Sequence, residues 1–438
     1  MNVLIRLRWN PYYESMALDK DSGRLLERAA ELVSIPSVSG DEAAIADYVY
    51  NCLNSWIEST ADSAGQIELI RLDNNVILRT LRDADEGDIG ARDTELEGTE
   101  VEGTGGATTG GATTENTGAG HPGTGNTVVR DTGTGHLSER IIFASHLDTV
   151  PPVADWQMKT DDTTLEGLGA VDTKGSVAVM LELALSSLAI PVDTTFIFYS
   201  CEEIARDMNG LRHILASNPE LLKGDVAIVG EPTAGIVEAG CQTTMTARID
   251  VPGKRAHTAR PWMGKNAIHL AAQIIDRVAG YGENIVEIDG CTFKEQLQAV
   301  MISGGVAANV VPDSATITIN HRAAPNRSRQ YIEEWLNRYL LVDKEGAKDI
   351  QATIEVLDYA QGAMPLLENK WIGRLAGLTS TPPQAKLGWT DVATFSEVGT
   401  PACNFGPGDP ELAHTPHERV TASELQQVYS TLISLICH

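Results

Sequence analysis

Short apolar runs that each give way to polar side chains mark the chain from residue 141 onwards. Residues 141–145, 194–200 and 225–230 are such runs, and their length and apolar character predict buried parallel strands. Apolar positions at helical spacing predict amphipathic helices at 19–32 and 42–59, and a mostly apolar helix lies between the first two runs. Strands that alternate with helices in this way predict an α/β fold built on a mixed sheet.

Residues 243–356 have a different order of elements. The pattern predicts β-α-β-β-α-β, with a strand from Thr243, a helix from Asn266, strands at 298–303 and 314–321, a helix from Arg329 and a strand at 351–356. That order is typical of the ferredoxin-like α+β arrangement. We therefore predict two domains, the first formed by residues 16–242 and 357–438, and the second inserted into it as residues 243–356.

Residues 84–137 differ in composition from the segments on either side. They contain 14 Gly, 12 Thr and ten acidic residues, against only Arg92 and Arg130 as basic residues. Such a segment cannot bury an apolar face, so we predict a disordered insertion between a strand at 75–81 and the strand at 141–145. A short turn could join those two strands without it. Residues 1–15 are predicted to be a flexible N-terminal tail, unless they reflect the choice of start site.

Composition and charge narrow the class of protein. The chain has 438 residues, 42% of them hydrophobic, but no apolar run approaches the about 20 residues that cross a bilayer. Arg6 and Arg8 interrupt the apolar N-terminus, which argues against a signal peptide. A formal net charge of −27 argues against nucleic acid or an anionic membrane as a partner. Six scattered cysteines without a C-x-x-C motif favour a reduced, cytoplasmic setting.

Acidic and histidine side chains stand where the predicted strands end or on the loops between them. His146 and Asp148 lie two residues apart, so both point to one face, where a carboxylate can orient a metal-binding histidine. Taken singly, such a His-x-Asp pair is as often a packed strand-end feature as a site, and two adjacent glutamates are more often a solvated surface pair. The strand ends of an open α/β sheet meet at a crevice, however, and nitrogen and oxygen donors there suit Zn²⁺ first and Co²⁺ or Mn²⁺ next. The candidates are His146, Asp148, Asp172, Glu202, Glu203, Glu231 and His414.

Six short motifs occur in an order that resembles the two-zinc aminoacylase and carboxypeptidase family of co-catalytic metallopeptidases. The motifs are HLDTVPP, GLGAVDTKG, CEE, VGEPT, GKRAHT and LAH. The resemblance covers residues 17–438 apart from the Gly/Thr-rich insertion. It implies a catalytic domain that holds two Zn²⁺ ions per subunit, with Co²⁺ or Mn²⁺ as alternatives. It also implies that residues 243–356 form a lid through which two subunits make a homodimer.

The same resemblance implies a role for each residue of the metal site. One ion would be bound by His146, Asp172 and Glu231, and the other by Asp172, Glu203 and His414. Asp148 would orient His146, and Glu202 would act as the general base toward the water that attacks the amide. The family has a cis peptide bond after the bridging aspartate, which corresponds to Asp172–Thr173 in this chain.

Three residues of the predicted lid match positions with a function in the family. His257 would reach the active site of the partner subunit and stabilise the oxyanion of the reaction. Asn309 and Arg322 lie on strands that bind substrate in the family, and the planar fork of an arginine suits a carboxylate. The resemblance therefore implies that a complete active site needs two subunits.

Substrate contacts are also implied near the C-terminus. Thr390 lies in a segment that holds the substrate in relatives, and the backbone N–H groups of Gly406 and Gly408 are candidates for binding a carboxylate. The chain departs from the pattern of the well-known proteobacterial members of the family at residues 241–244 and 388–391, the latter including Trp389. Both segments help to hold the substrate in relatives, so these departures bear on how a succinyl group would be recognised.

Within the family, the longer strings CEEIARDMNGL and NFGPGDPELAH favour one reaction. It is hydrolysis of the succinyl amide of N-succinyl-L,L-2,6-diaminopimelate, which yields succinate and the free diamine for lysine and cell-wall synthesis. Deacetylation of acetylornithine, or a carboxypeptidase activity, is the alternative within the family. Two other classes are a non-catalytic binder on the same scaffold and an interaction protein built around the insertion. Loss of Glu202 or of a metal ligand would mark the binder, and none is lost.

Overall fold

The computed structural model describes residues 3–8, 22–60, 64–81, 139–153, 156–186, 192–342 and 351–437. The insertion predicted at 84–137 lies outside these residues. So does most of the predicted tail, but Val3–Arg8 within it forms a strand. Its apolar and basic residues pair antiparallel with the segment Ala64–Leu72, so the expectation of a flexible tail does not hold for these six positions.

The described residues up to 242 form nine strands and four α-helices. The strands are β1 Val3–Arg8, β2 Ala64–Leu72, β3 Asn75–Leu81, β4 Arg140–His146, β5 Lys159–Thr160, β6 Thr164–Glu166, β7 Asp193–Tyr199, β8 Val226–Val229 and β9 Glu238–Ala239. The helices are α1 Ser22–Val33, α2 Ala43–Ser59, α3 Lys174–Ala184 and α4 Gly210–Ser217. The three buried strands predicted from apolar runs correspond to β4, β7 and β8.

The middle of the chain forms a five-stranded antiparallel sheet with two helices. Its elements are β10 Thr243–Pro252, β11 Ala256–His257, α5 Ala267–Ala279, β12 Asn284–Ile288, β13 Cys291–Gly304, β14 Val310–Val311, β15 Ser314–Ala323, α6 Arg329–Leu341 and β16 Thr353–Ala360. The strand order is β12-β13-β15-β10-β16, while β11 and β14 form a separate pair. Without β12, this is the ferredoxin-like order that the sequence predicts.

The described residues after β16 add three helices and three short strands to the part of the structure formed by residues up to 242. They are α7 Lys370–Leu378, β17 Gln384–Ala385, α8 Val392–Glu397, β18 Ala402–Asn404, β19 Arg419–Thr421 and α9 Ala422–Cys437. The larger sheet then has nine strands in the order β1-β2-β3-β7-β4-β8-β18-β9-β17. In it β4 runs parallel to both β7 and β8, while β3 runs antiparallel to β7. The sheet is therefore mixed.

Helices cover both faces of the nine-stranded sheet, which explains why its central strands are almost wholly apolar. Successive residues of a strand point to opposite faces. In β4, Ile141 and Phe143 pack into a core shared with α1, α3 and α9. Ile142 and Ala144 pack into a second core, shared with α4 and α8. The five-stranded sheet packs against α5 and α6 around a core of its own.

The predicted fold class, α/β with a mixed sheet and a second α+β sheet, is confirmed. The hydrophobic pattern does not predict β2 or β12. For β12 a signal is present, because Asp289 and Gly290 separate it from β13 and an Asp-Gly pair between two strands is a strong hairpin signal. Both residues have positive φ angles, of 51° and 78°, as that two-residue turn requires. The domain boundaries stay a prediction.

Candidate metal centre and active site

The carboxyl ends of three neighbouring strands bring the acidic residues together. His146 is the last residue of β4 and lies beside Tyr199, the last residue of β7. Glu202 and Glu203 follow β7, and Glu231 follows β8, which pairs with β4 on its other side. Because the three strands are parallel, their carboxyl ends lie at one edge of the sheet, as an open α/β fold requires of a ligand site.

Asp172 lies between two histidines. One of its oxygens is 3.1 Å from His146 Nε2, and the other is 3.3 Å from His414 Nε2. His414 Nε2 is also 2.8 Å from Glu203 Oε1. The peptide bond between Asp172 and Thr173 is cis. Ligand atoms of His146, Asp172 and Glu203 all lie within 4.8 Å of one another, which makes them a candidate metal site.

Asp148 holds more of the site than the sequence indicates. Its carboxylate accepts the backbone N–H groups of Glu202 and Glu203, each at 3.0 Å, and the hydroxyl of Ser39 at 2.7 Å. His146 Nδ1 is 3.0 Å from the backbone oxygen of Asp148 and 3.4 Å from its carboxylate. Asp148 therefore positions the histidine mainly through its carbonyl, while its carboxylate fixes the loop that carries both glutamates.

Two further residues position the site, and sequence reasoning missed both. Glu418 is buried, and its carboxylate accepts the N–H groups of Val171 and Asp172 at 2.9 and 3.0 Å. Lys386 pairs with Glu238 at 2.8 Å, and the charge of Glu231 helps to raise its pKa. No local pattern marks Glu418, whereas Lys386 opens the string KLGWTD, which could have been examined for a charge near the metal site.

Carboxylates are crowded at this edge of the sheet. Burial raises the pKa of Glu231 to about 7, and the nearby charge of Asp172 adds to that shift. Burial also raises the pKa of Glu202 well above its usual range. Hydrogen bonds to Asp172 and Glu203 raise the pKa of His414 to about 10. Buried carboxylates whose negative charges raise the pKa of their neighbours form a donor set that divalent cations would stabilise.

The predicted substrate contacts near the C-terminus are largely engaged within the chain. The hydroxyl of Thr390 donates to Asn404 Oδ1 at 2.9 Å. The N–H of Gly406 donates to Thr233 Oγ1 at 3.1 Å, so it is not available to a carboxylate in this conformation. A side chain at Gly406 would place its Cβ 2.5 Å from the carbonyl oxygen of Glu231, so close packing explains the glycine. Gly408 lies two residues on, with a φ of 85°.

The candidates in the five-stranded sheet and near the β11–β14 pair form hydrogen bonds with their own neighbours. His257 is exposed, and its Nδ1 accepts the N–H of Ala259 at 3.0 Å. The carbonyl of Asn309 accepts the N–H of Thr258 at 3.1 Å, which keeps Asn309 beside the His257 strand. Arg322 donates to Asn320 Oδ1 at 3.1 Å. Within the part of the chain that the structure describes, no hydrogen bond joins these residues to the metal-site side chains.

The comparison with protein families identifies the class. A family model described as peptidase family M20/M25/M40 matches residues 142–438, and the chain belongs to that family. This membership confirms the resemblance inferred from the six motifs. It also confirms the prediction of a metal-dependent hydrolase that acts on an amide bond.

Curated relatives in this family include two actinobacterial proteins. The chain is 35% identical over 405 residues to succinyl-diaminopimelate desuccinylase from Corynebacterium glutamicum, and the match covers 92% of this chain and 93% of that protein. It is 46% identical over 289 residues to a Mycobacterium tuberculosis protein provisionally assigned the same name, covering 66% of this chain and 79% of that one.

Solved structures with the same fold are more distant in sequence. Aminopeptidase PepT from Bacillus cereus superposes with a TM-score of 0.64 at 19% identity, covering 95% of this chain and 98% of that one. A dinuclear metal-binding peptidase of the M20 family from Bacillus subtilis superposes with a TM-score of 0.60 at 16% identity, with the same coverage. At such identities the likeness concerns the fold alone, and it agrees with the predicted fold class. Among the described residues, no helix is long and apolar enough to cross a membrane.

Proposed function

We propose that the protein hydrolyses N-succinyl-L,L-2,6-diaminopimelate to succinate and L,L-2,6-diaminopimelate. The observation that carries the proposal is the 35% identity to the Corynebacterium glutamicum desuccinylase over nearly the whole of both chains. Acetylornithine deacetylation is the second candidate. It is supported by 27% identity over 323 residues to acetylornithine deacetylase from Myxococcus xanthus, a weaker similarity over less of the chain.

The metal-site residues would bind two Zn²⁺ ions, with Co²⁺ or Mn²⁺ as alternatives. One set is His146, Asp172 and Glu231, and the other is Asp172, Glu203 and His414. The contacts of Asp172 with both histidines support its role as the ligand shared by the two ions. When bound, the ions would polarise the amide carbonyl and offset the charge of the carboxylates.

Glu202 would act as the general base. Its backbone N–H is held by Asp148, which aims the loop at the metal site, and its carboxylate is not needed for either ligand set. A carboxylate oxygen of Glu202 would take a proton from the attacking water and later deliver it to the leaving amine.

A homodimer through the five-stranded sheet is part of the proposal. On one side of β13, residues 296–304 pair with β15, but on the other side β12 covers only Cys291–Glu295. Val300, Met301 and Ile302 on this uncovered stretch are 52%, 64% and 57% exposed. An open apolar strand edge needs covering, and the same edge of a second copy would cover it across a two-fold axis. His257 would then serve the active site of the other subunit.

The charge of the chain and its family support proposals about its binding partners and its location. A sequence pI of about 4.7 with a net charge of −27 supports a small-molecule enzyme that binds neither nucleic acid nor an anionic membrane. Biosynthesis of diaminopimelate requires no secreted enzyme, so a cytoplasmic location is proposed with it.

The test is hydrolysis by the purified protein with added zinc. N-succinyl-L,L-2,6-diaminopimelate, N-acetyl-L,L-2,6-diaminopimelate and N-acetylornithine are compared as substrates, with chelator-treated protein as the control. The proposal expects kcat/KM for the succinyl compound to exceed that for either acetyl compound by at least about tenfold. Faster hydrolysis of N-acetylornithine would establish the alternative instead.

A further inference from the structure

A cavity of about 600 Å³ opens beside Glu202, the proposed general base. One wall is formed by the loop that follows Glu202 and Glu203, with Arg206, and by the start of α4, with Arg212. The opposite wall comes from β10 and β16 of the five-stranded sheet, with Thr244 and Asp358. A group bound here would therefore lie next to the reacting amide, in contact with both sheets.

Two arginines on the first wall share one carboxylate partner. Arg206 and Arg212 both pair with a single carboxylate, that of Glu397, at 2.7 and 2.6 Å. Each guanidinium has five N–H donors, and each bond to Glu397 uses one of them. The Nε atom of Arg206 is buried without a hydrogen-bond partner among the described residues. Two arginines that share one carboxylate keep the charge and the donors to bind a second carboxylate.

Negative charge lines the same cavity nearby. Asp207 and Asp358 both lie in its wall and are exposed. Neither carboxylate forms an ion pair with any residue in the described ranges. The cavity therefore offers guanidinium groups and unpaired carboxylates together, and this combination fits a ligand group that carries one carboxylate and one ammonium close to each other.

Two departures from the family pattern fall in this cavity. Thr244 lies in the segment 241–244, and Trp389 is the other departing position; both line the cavity wall. The guanidinium carbon of Arg206 lies 5.4 Å from the centre of the Trp389 ring, so the tryptophan holds that arginine by a cation–π contact. The departures thus coincide with an arginine held on a tryptophan face.

We propose that this cavity binds the free α-amino-acid end of the substrate, remote from the amide that is cleaved. Arg206 and Arg212 bind its carboxylate, and Asp207 and Asp358 bind its ammonium group. The assignment rests on the proposed function, because N-succinyl-L,L-2,6-diaminopimelate has such an end and N-acetylornithine has no carboxylate there. Arg206 is thereby a specificity-determining residue that selects a zwitterionic end over a simple amine.

The test compares three substrates that differ only at this end. They are N-succinyl-L,L-2,6-diaminopimelate, N-succinyl-L-lysine, which lacks the remote carboxylate, and N-succinyl-L-2-aminopimelate, which lacks the remote ammonium. Arg206→Gln should lower kcat/KM about 10- to 100-fold for the first and third substrates and leave N-succinyl-L-lysine within about threefold, because only a carboxylate loses a charged hydrogen bond. Arg212→Gln should show the same selectivity.

The two aspartates give the converse selectivity. The double variant Asp207→Asn/Asp358→Asn should lower kcat/KM for the diaminopimelate and lysine compounds and spare the aminopimelate compound. Arg329→Gln is the matched control, since Arg329 forms an exposed pair with Glu333 on α6, and it should leave all three values unchanged.

Three outcomes would overturn the assignment. An equal loss with all three substrates in Arg206→Gln and Arg212→Gln would make the arginines structural. A loss that disappears when N-acetyl-L,L-2,6-diaminopimelate replaces the succinyl compound would place the succinyl carboxylate in the cavity instead. If the wild-type protein with zinc hydrolyses none of the succinyl substrates, the proposed function itself fails, and the cavity assignment fails with it.

Discussion

His146 and His257 are held in contrasting ways, although both carry a proposed role in the same reaction. His146 is 1% exposed at the end of a buried parallel strand, and both of its ring nitrogens lie within 3.1 Å of an oxygen. His257 is exposed on a strand of two residues, and among the described residues its imidazole forms one hydrogen bond, with the backbone N–H of Ala259. The metal half of the site is thus organised within one chain.

The difference follows from the two surroundings. Parallel strands packed under helices on both faces converge at a fixed edge, so side chains that follow them are held in place by the core. The pair formed by β11 and β14 has only two residues in each strand, and it leaves the His257 side chain exposed. His257 can therefore take part in the proposed reaction only if a second surface comes to it.

Removal of Asp172 should have the largest effect, because it removes the contact between the two histidines of the metal site. Asp172→Ala is expected to lose both metal ions and all measurable turnover. Metal content after dialysis and kcat with added zinc measure the two effects.

Glu202→Ala is the matched control, since it should retain both ions and lose about 10²–10⁴-fold in kcat, the typical contribution of a general base. A Glu202→Ala protein that lacks one equivalent of zinc, beside a Glu203→Ala protein that lacks none, would reverse the roles of these two glutamates.

Replacing His257 tests the other half of the comparison. His257→Ala should lower kcat about 10²–10³-fold with KM within a few-fold, because an oxyanion donor acts mainly in the transition state. Mixing this variant with Glu202→Ala and allowing subunits to exchange should restore some activity, since one site of the heterodimer has both residues intact. Exchange verified by mass spectrometry without any return of activity would show that His257 does not act across a dimer.

A smaller effect is expected at Asp148, which holds His146 and the glutamate loop at once. In the wild-type protein, the two carboxylate oxygens of Asp148 accept two backbone N–H groups and the Ser39 hydroxyl. Asp148→Asn has only one side-chain oxygen, so it cannot accept all three hydrogen bonds in the same geometry. Metal affinity should fall about 10- to 100-fold, measured by competition with a chelator. Ser39→Ala removes one hydrogen bond and should cost less than about tenfold. An unchanged affinity in Asp148→Asn would mean that the backbone carbonyl alone orients His146.

Deletion of residues 84–137 should have the smallest effect. Arg79 of β3 and Ile142 of β4 both lie opposite Thr195 of β7, so these strands are about 10 Å apart and a short linker can join them. Arg140, where β4 begins, is six residues from His146, or about 20 Å along a strand. kcat/KM should therefore stay within a few-fold, with the melting temperature as a check on folding. A folded, dimeric deletion protein without activity would give the insertion a catalytic role.

Sequence patterns were enough to predict strands and site residues where the informative residues are neighbours along the chain. An apolar run followed by a histidine or a glutamate predicts both the strand and the side chain at its end, and this places His146, Glu203 and Glu231 at one edge of the sheet. Short motifs placed Asp172 and His414 in the same site. The hairpin at Asp289 and Gly290 was equally local and could have been predicted from its turn residues.

Contacts between distant parts of the chain have no such local pattern, so only the tertiary structure reveals them. Glu418 holds the N–H of Asp172 across 246 residues of sequence, and Glu397 joins Arg206 and Arg212 from more than 180 residues away. The cavity beside Glu202 forms only where the two sheets meet. By itself, the sequence determined the strands and the donors that follow them, because periodicity and turn chemistry act over a few residues. Which charges then share one cavity depends on packing, which brings remote segments together and has no local signature.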